Sequence, residues 1–277
     1  MYNKLKYLSF AMLSLGLSVP SAFAQSSVYV PSQNGGLKVG IDALYLRPAN
    51  SNLDYATLFS FAVPNQISTQ NSFIDPSYDW GFYVQAGYVF PCTGNDLTLG
   101  YTYLRNNDTD SVVTPPSAGA PEIAIIPITP IFFPGVAFDN AQGKEEFNLN
   151  TLDLEAGQRF TTGAYDMRMF AGLRYSNIDH TLSARGVSVA TVQVGAQQFT
   201  SNFRGLGPRI GVDGRYCLQS GFGLDANLST SLLVGTVDAK YDAVVFTRNA
   251  RTRGYTANNG SRNRVVPVLE AKLGVDY

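Results

Sequence analysis

The chain has 277 residues, 20 basic and 21 acidic, a net charge of −1 and only 15 % charged residues. A charge this close to zero excludes a role built on phosphate contacts to nucleic acid. Two cysteines, Cys92 and Cys217, are too few for a disulfide scaffold, and with no histidine near them neither a metal nor a cofactor is expected.

The N-terminus reads as a secretory signal peptide over residues 1–24. Lys4 and Lys6 supply the positive region, Leu8–Leu17 is apolar, and Ala22-Phe23-Ala24 is a small-x-small cleavage site. The mature domain is then 25–277. No apolar run long enough for a transmembrane helix follows the leader. A secreted chain that enters a membrane without a spanning helix is expected to do so as a closed barrel.

Period-two alternation supports that expectation. Leu37–Leu46 directs Val39, Ile41, Ala43 and Tyr45 to one face. Asp79–Arg105 is a hairpin whose apolar set runs Trp80, Phe82, Val84, Ala86, Tyr88, Phe90, then Leu97, Leu99, Tyr101, Tyr103; its opposite set is Gly, Thr and Gln. Asn148–Phe160, Tyr165–Ser176, Phe203–Tyr216, Phe222–Gly235 and Val265–Tyr277 repeat the pattern. Each is long enough for the 9–11 residues or so that a tilted membrane strand needs. These eight strands alternate short connections with long ones, as expected for short periplasmic turns and long external loops. The predicted fold is all-β: a single transmembrane antiparallel β-barrel of eight strands, or ten if Gly186–Thr200 forms its own hairpin. Val187, Val189 and Thr191, and Val237, Ala239 and Tyr241, keep enough alternation to carry strands beyond the bilayer. The apolar, proline-rich segment Pro121–Phe138 reads as a loop over the barrel mouth or as a partner-binding or constricting loop.

No charge falls in the outward sets. The inward face carries Lys38 and Asp42; Asp153, Glu155 and Arg159; Asp166, Arg168 and Arg174; Arg209, Asp213 and Arg215; Asp225; and Glu270 and Lys272. They fit either a salt-bridge network filling a narrow interior or the lining of a water-filled path. Aromatics gather at strand ends: Phe90, Phe160, Tyr165, Tyr216, Phe222 and Tyr277 at the periplasmic rim, and Tyr45, Trp80, Tyr103 and Tyr175 at the outer one. They are expected to form the interfacial girdle. Leu273, Val275 and Tyr277 resemble the C-terminal signal read by the outer-membrane assembly machinery. Cys92 and Cys217 fall in turns on opposite sides of an eight-stranded barrel, beyond the ~7 Å a disulfide allows, which leaves intermolecular bonding or free thiols. Gly221–Ala226 mimics a dinucleotide fingerprint but opens a strand rather than a helix. His180, the one histidine, has Asp179, Ser176 and Ser183 near it in sequence, but no motif makes them a catalytic set, and no enzymatic activity is expected.

GIDALYLRP (Gly40–Pro48), WGFYVQAGYVF (Trp80–Phe90) followed by TGND, GLGPRIGVDGRY (Gly205–Tyr216), GFGLDANLSTSLLVG (Gly221–Gly235) and VVPVLEAKLGVDY (Val265–Tyr277) resemble the major outer membrane protein family of Legionella. That resemblance implies a Gram-negative outer-membrane barrel with porin activity, surface exposure and a role in host attachment. The expected function is passive passage of small hydrophilic solutes or ions. The alternative is a closed barrel serving as an adhesin or structural envelope protein through its external loops. Expected partners are outer-membrane lipid, the assembly machinery, further copies of the chain and a host-surface ligand.

Overall fold

The computed structural model describes residues 35–49, 53–62, 66–91, 93–114, 122–125, 138–162, 165–188, 193–218, 222–247 and 250–276. The expected leader, Cys92, Tyr277 and most of the Pro121–Phe138 segment lie outside them.

Eleven strands follow in chain order: β1 (Gly36–Leu46), β2 (Asp54–Ala62), β3 (Gln66–Phe73), β4 (Asp79–Val89), β5 (Asn95–Val113), β6 (Glu122–Ile125), β7 (Asn140–Thr162), β8 (Tyr165–Ser188), β9 (Gln193–Cys217), β10 (Gly223–Thr247) and β11 (Ala250–Asp276). Eight of them form one antiparallel sheet in the order β1-β4-β5-β7-β8-β9-β10-β11, and β3-β2-β6 form a small second sheet. Each strand of the large sheet therefore pairs with its neighbour in sequence once β2, β3 and β6 are set aside. This is the simplest topology for antiparallel strands joined by short turns. Gly186–Thr200 makes no hairpin of its own; it supplies the outer ends of β8 and β9, which pair there through Gly186 and Gly195.

The closed barrel expected from the alternation is not what the chain forms. The sheet ends at β1 on one side and β11 on the other, and among the described residues no backbone ladder joins them. Outward side chains record the open edges. Leu37 on β1 and Leu269 on β11 are 84 % and 69 % exposed, whereas Leu152 on the inner strand β7 is 43 % exposed. A side chain on an edge strand lacks a neighbour on one flank. The sheet is nonetheless strongly curled. Lys272 of β11 lies 5.1 Å from the ring centroid of Tyr83 on β4, although five strands separate the two in sheet order. Side chains meeting across the concave face, rather than a closing ladder, set this curvature.

Register reveals a boundary. Tyr101, Leu152, Tyr175, Leu206, Val234 and Val265 lie side by side on six adjacent strands, facing outward. One outward row higher the residues become Tyr103, Asn150, Asn177, Arg204, Thr236 and Asn263. Above this line the apolar residues change face. Leu104, Leu149, Ile178, Phe203 and Val237 form a row on the concave side. Because side chains alternate with a strict period of two, this phase change marks where the apolar environment moves from outside the sheet to inside it.

The small sheet caps the concave side at the far end. Leu53, Tyr55, Ala56 and Ile74 pack with Phe138, Ala141, Leu182 and Ala184 as one buried cluster. Two glycines make the seats. A Cβ on Gly143 would come 2.4 Å from Cγ of Tyr55, and one on Gly195 2.5 Å from Cζ of Phe138. The Tyr55 hydroxyl donates to Asp110 Oδ2 at 3.2 Å. Burial, with the Asp110 charge and that hydrogen bond, pushes the Tyr55 phenol up to about 12. The folded state thus prefers the protonated phenol. Its stabilisation is complete below the unfolded value near 10 and is lost as pH rises from about 10 to 12. We expect the urea midpoint of the wild-type chain to fall across that interval more steeply than that of Tyr55→Phe. Parallel pH profiles would contradict this assignment.

Candidate functional site

The concave face is the chemically distinctive part of the molecule, and three guanidinium groups organise it. Arg168 grips Asp96 with two nitrogens, Nη2 to Oδ1 at 2.6 Å and Nε to Oδ2 at 2.8 Å. Its Nη1 reaches Glu155 Oε2 and Asp213 Oδ2, each at 3.0 Å. Arg174 holds Asp153 through Nε at 2.6 Å and Nη2 at 2.7 Å, and Glu270 through Nη1 at 2.5 Å. Arg209 joins the two groups. Its Nη1 donates to Glu270 Oε2 at 2.7 Å and lies 3.4 Å from Asp153, and its Nε lies 3.0 Å from Glu155. All three arginines, with Asp96, Asp153 and Glu155, are buried.

The strands place these groups simply. Each charge occupies an inward position, and each arginine reaches along the concave face to strands beyond its immediate neighbours. Arg168 on β8 bonds Asp96 on β5, and Arg174 on β8 bonds Glu270 on β11. The ring of Phe170 stands between two of them, 4.9 Å from Arg168 Cζ and 5.5 Å from Arg209 Cζ. An arginine fork matched to a carboxylate satisfies several donors at once, which a buried charge requires.

The other inward charges lie around this core. Arg159 and Asp166 are 3.4 Å apart. Arg215 sits in register between Asp166 and Asp225. Lys38 and Asp42 face the concave side of β1, and Lys272 stacks over Tyr83. At the centre the charges do not line a water-filled path: Arg168, Arg174 and Arg209 pair with Asp96, Asp153, Glu155, Asp213 and Glu270. The layer above them is apolar. Leu104, Phe147, Ile178, Phe203 and Leu233 are buried together, with Leu46, Leu149, Val237, Val266 and Val268 packed against them. Above that layer comes the cap.

Sequence reading missed Asp96 and the apolar layer. Asp96 continues the inward set Thr98, Gly100, Thr102 by one step, so the register of β5 could have found it. The aromatics lie at strand ends on the convex face. Tyr45 stacks with Tyr78 at 5.3 Å and lies 4.9 Å from Trp80; Tyr103 lies 5.4 Å from Phe82; Tyr165 lies 4.7 Å from Tyr216. Phe90, Phe160, Tyr175 and Phe222 are exposed there too, as are Leu273 and Val275. Cys217 is exposed at the end of β9. His180 is not brought together with Ser176 or Asp179. Its Nε2 lies 2.9 Å from Glu145 Oε1, Ser176 bonds Thr151 at 3.1 Å, and Asp179 accepts from Asn177 and Asn202. No group of three or more metal-ligating side chains occurs among the described residues.

The family model described as the Legionella pneumophila major outer membrane protein precursor matches residues 29–277. The chain belongs to this family. The match covers almost the whole chain and places it in the outer membrane of a Gram-negative bacterium, in a family whose role is not enzymatic. No curated protein and no solved structure matches the chain. The porin activity implied by the resemblance does not extend to this member. An open sheet encloses no lumen, and its concave face is occupied by ion pairs and apolar side chains.

Breaking the network should cost far more than a surface pair would. Arg209→Met leaves Asp153, Glu155 and Glu270 without their shared cation, and we expect a loss of about 3–5 kcal/mol. The urea midpoint of the chain refolded into detergent measures it. Adding Glu270→Gln to Arg209→Met should recover part of the loss. A single variant as stable as wild type would show that the network is dispensable.

Proposed function

We propose that the chain is a non-conducting outer-membrane protein that displays its far end, the cap and the long strand extensions, as an attachment surface on the cell. The observation that carries this reading is the filled concave face. Three buried arginines are neutralised by five carboxylates, and a row of Leu104, Leu149, Ile178, Phe203 and Val237 lies across the sheet above them. Hydrated ions do not cross such a layer without displacing it.

Strand length supports display. β8, β9, β10 and β11 have 24, 25, 25 and 27 residues, about twice the length that a bilayer needs. The surplus lies on the capped side. Loops and extensions held on a rigid sheet are where binding residues concentrate. In the same reading residues 1–24 direct export, and the C-terminal residues Leu273, Val275 and Tyr277 address the chain to the assembly machinery. The aromatic ends anchor the sheet at the two interfaces, and Cys217 cross-links copies of the chain.

Whole-cell attachment to a host-cell layer tests the proposal. Bacteria displaying the chain should bind in excess of bacteria lacking it, and an antibody fragment raised against residues 54–73 should remove the excess. Equal binding by the two strains would refute the proposed role.

A further inference from the structure

Above the apolar layer the charges of the β9–β10–β11 sector separate by face. Val237 faces the concave side and pairs with Arg262; Gly235, two residues before it, pairs with Arg264. Arg262 and Arg264 therefore share the concave face, and both are exposed. The convex face of the same sector carries Arg204, Asp238, Lys240 and Asp242, which balance in sign. From Phe203, Gly235 and Arg264 outward, no acid takes a concave position on β9, β10 or β11. Glu270, six residues below Arg264, is held by Arg174 and Arg209, and Glu145 on β7 meets His180. Among the described residues neither Arg262 nor Arg264 lies in an ion pair. Residues 248–264 hold five arginines and no acid.

The backbone presents these two arginines. The register between β10 and β11 slips at Asp238 and Lys240, and Gly260, at φ 65°, lies in the bulge. A bulge re-aims the side chains beside it. Arg262 Nη2 donates to Asn259 Oδ1 at 3.0 Å, which orients the fork and leaves its other donors to an outside acceptor. β1 ends at Leu46, which packs in the layer of Val266 and Val268. β11 begins at Ala250, far beyond that layer, so among the described residues its outer half has no strand on its free flank. Tyr255 stands on the concave face of this half, opposite Ala243, and is 37 % exposed.

Direction and spacing select the partner. Val265 faces lipid, and Arg262 and Arg264 face the opposite way, so a bilayer headgroup beside the convex face does not reach them. Two residues along a strand separate them by about 7 Å. Cations spread along an extended edge fit a linear polyanion better than a single small anion. A net charge of −1 gives the chain no general attraction for polyanions, so the attraction is local to this edge. The Tyr255 ring adds an apolar face with a hydroxyl at its end, a surface that suits a sugar ring.

We propose that the concave side of the outer half of β11, through Arg262, Arg264 and Tyr255, docks a sulfated polysaccharide. The guanidinium forks take sulfate groups, and the tyrosine ring packs on the sugar. This names the ligand class of the attachment surface proposed above and rests on that reading.

The test is binding of the folded mature chain, in nonionic detergent, to immobilised heparin at several salt concentrations. The wild type should bind heparin in preference to its desulfated counterpart. Arg262→Gln/Arg264→Gln should weaken binding about tenfold or more. It should also reduce the slope of log affinity against log salt by about two, one for each cation removed. Tyr255→Ala should weaken binding with that slope unchanged. Arg204→Gln, on the convex face, should bind as the wild type does, and heat-dependent gel mobility should be the same throughout. Equal binding by the double variant, or equal binding of desulfated heparin, would overturn the proposal. So would equal affinity for double-stranded DNA, which would make the edge a general polyanion surface. Whole-cell attachment that persists in excess heparin would overturn this inference and leave the attachment role standing. Heparin binding by the purified chain without excess attachment by cells would support the site and refute that role.

Discussion

The fold depends on the pairing of three arginines with five carboxylates across the concave face. Arg168, Arg174 and Arg209 connect β5, β7, β8, β9 and β11 through side chains alone. A buried charge left unpaired costs several kcal/mol, so each of these groups constrains the others. The sheet must curl far enough to bring Glu270 of β11 to Arg174 of β8, and it holds that curl without a closing ladder. The same pairing consumes the charges that an ion path would need.

Two further layers complete the arrangement. The ionic layer is covered by the buried apolar row, and the apolar row is followed by the small sheet seated on Gly143 and Gly195. Each layer excludes water from the one below, which strengthens the electrostatics inside. Function then moves to what remains accessible: the capped far end and the far edge of β11. The family match sets the location of the chain, and the layering restricts what this member does there.

Much of the large sheet was legible in the sequence because lipid-facing and inward-facing residues alternate over the lower strands with few breaks, such as outward Gln158 and Thr230 and inward Phe170. Tyr165, Met167, Met169, Ala171, Leu173 and Tyr175 need only be read in steps of two. Closure was not legible, because alternation fixes which face a residue takes but says nothing of whether the first and last strands meet. The small sheet was hidden for a different reason. β2 pairs with β6, more than sixty residues later, and such non-local pairing leaves no periodic signal. The inward charges were found as a set, but spacing alone could not decide between pairing and lining a path. That choice depends on cross-strand distances. The apolar layer is visible as a reversed alternation, Phe147 and Leu149 against Asn148 and Asn150, on the face opposite to the lipid-facing set of the same strand.

The most direct test is single-channel recording of the folded mature chain in a planar bilayer, with folding checked beforehand by gel mobility. The filled, open sheet predicts no conductance steps above the bare membrane. Stable steps whose size or ion preference changed with Arg168→Glu would contradict it, because they would require a hydrated path through the layer occupied by the ion pairs.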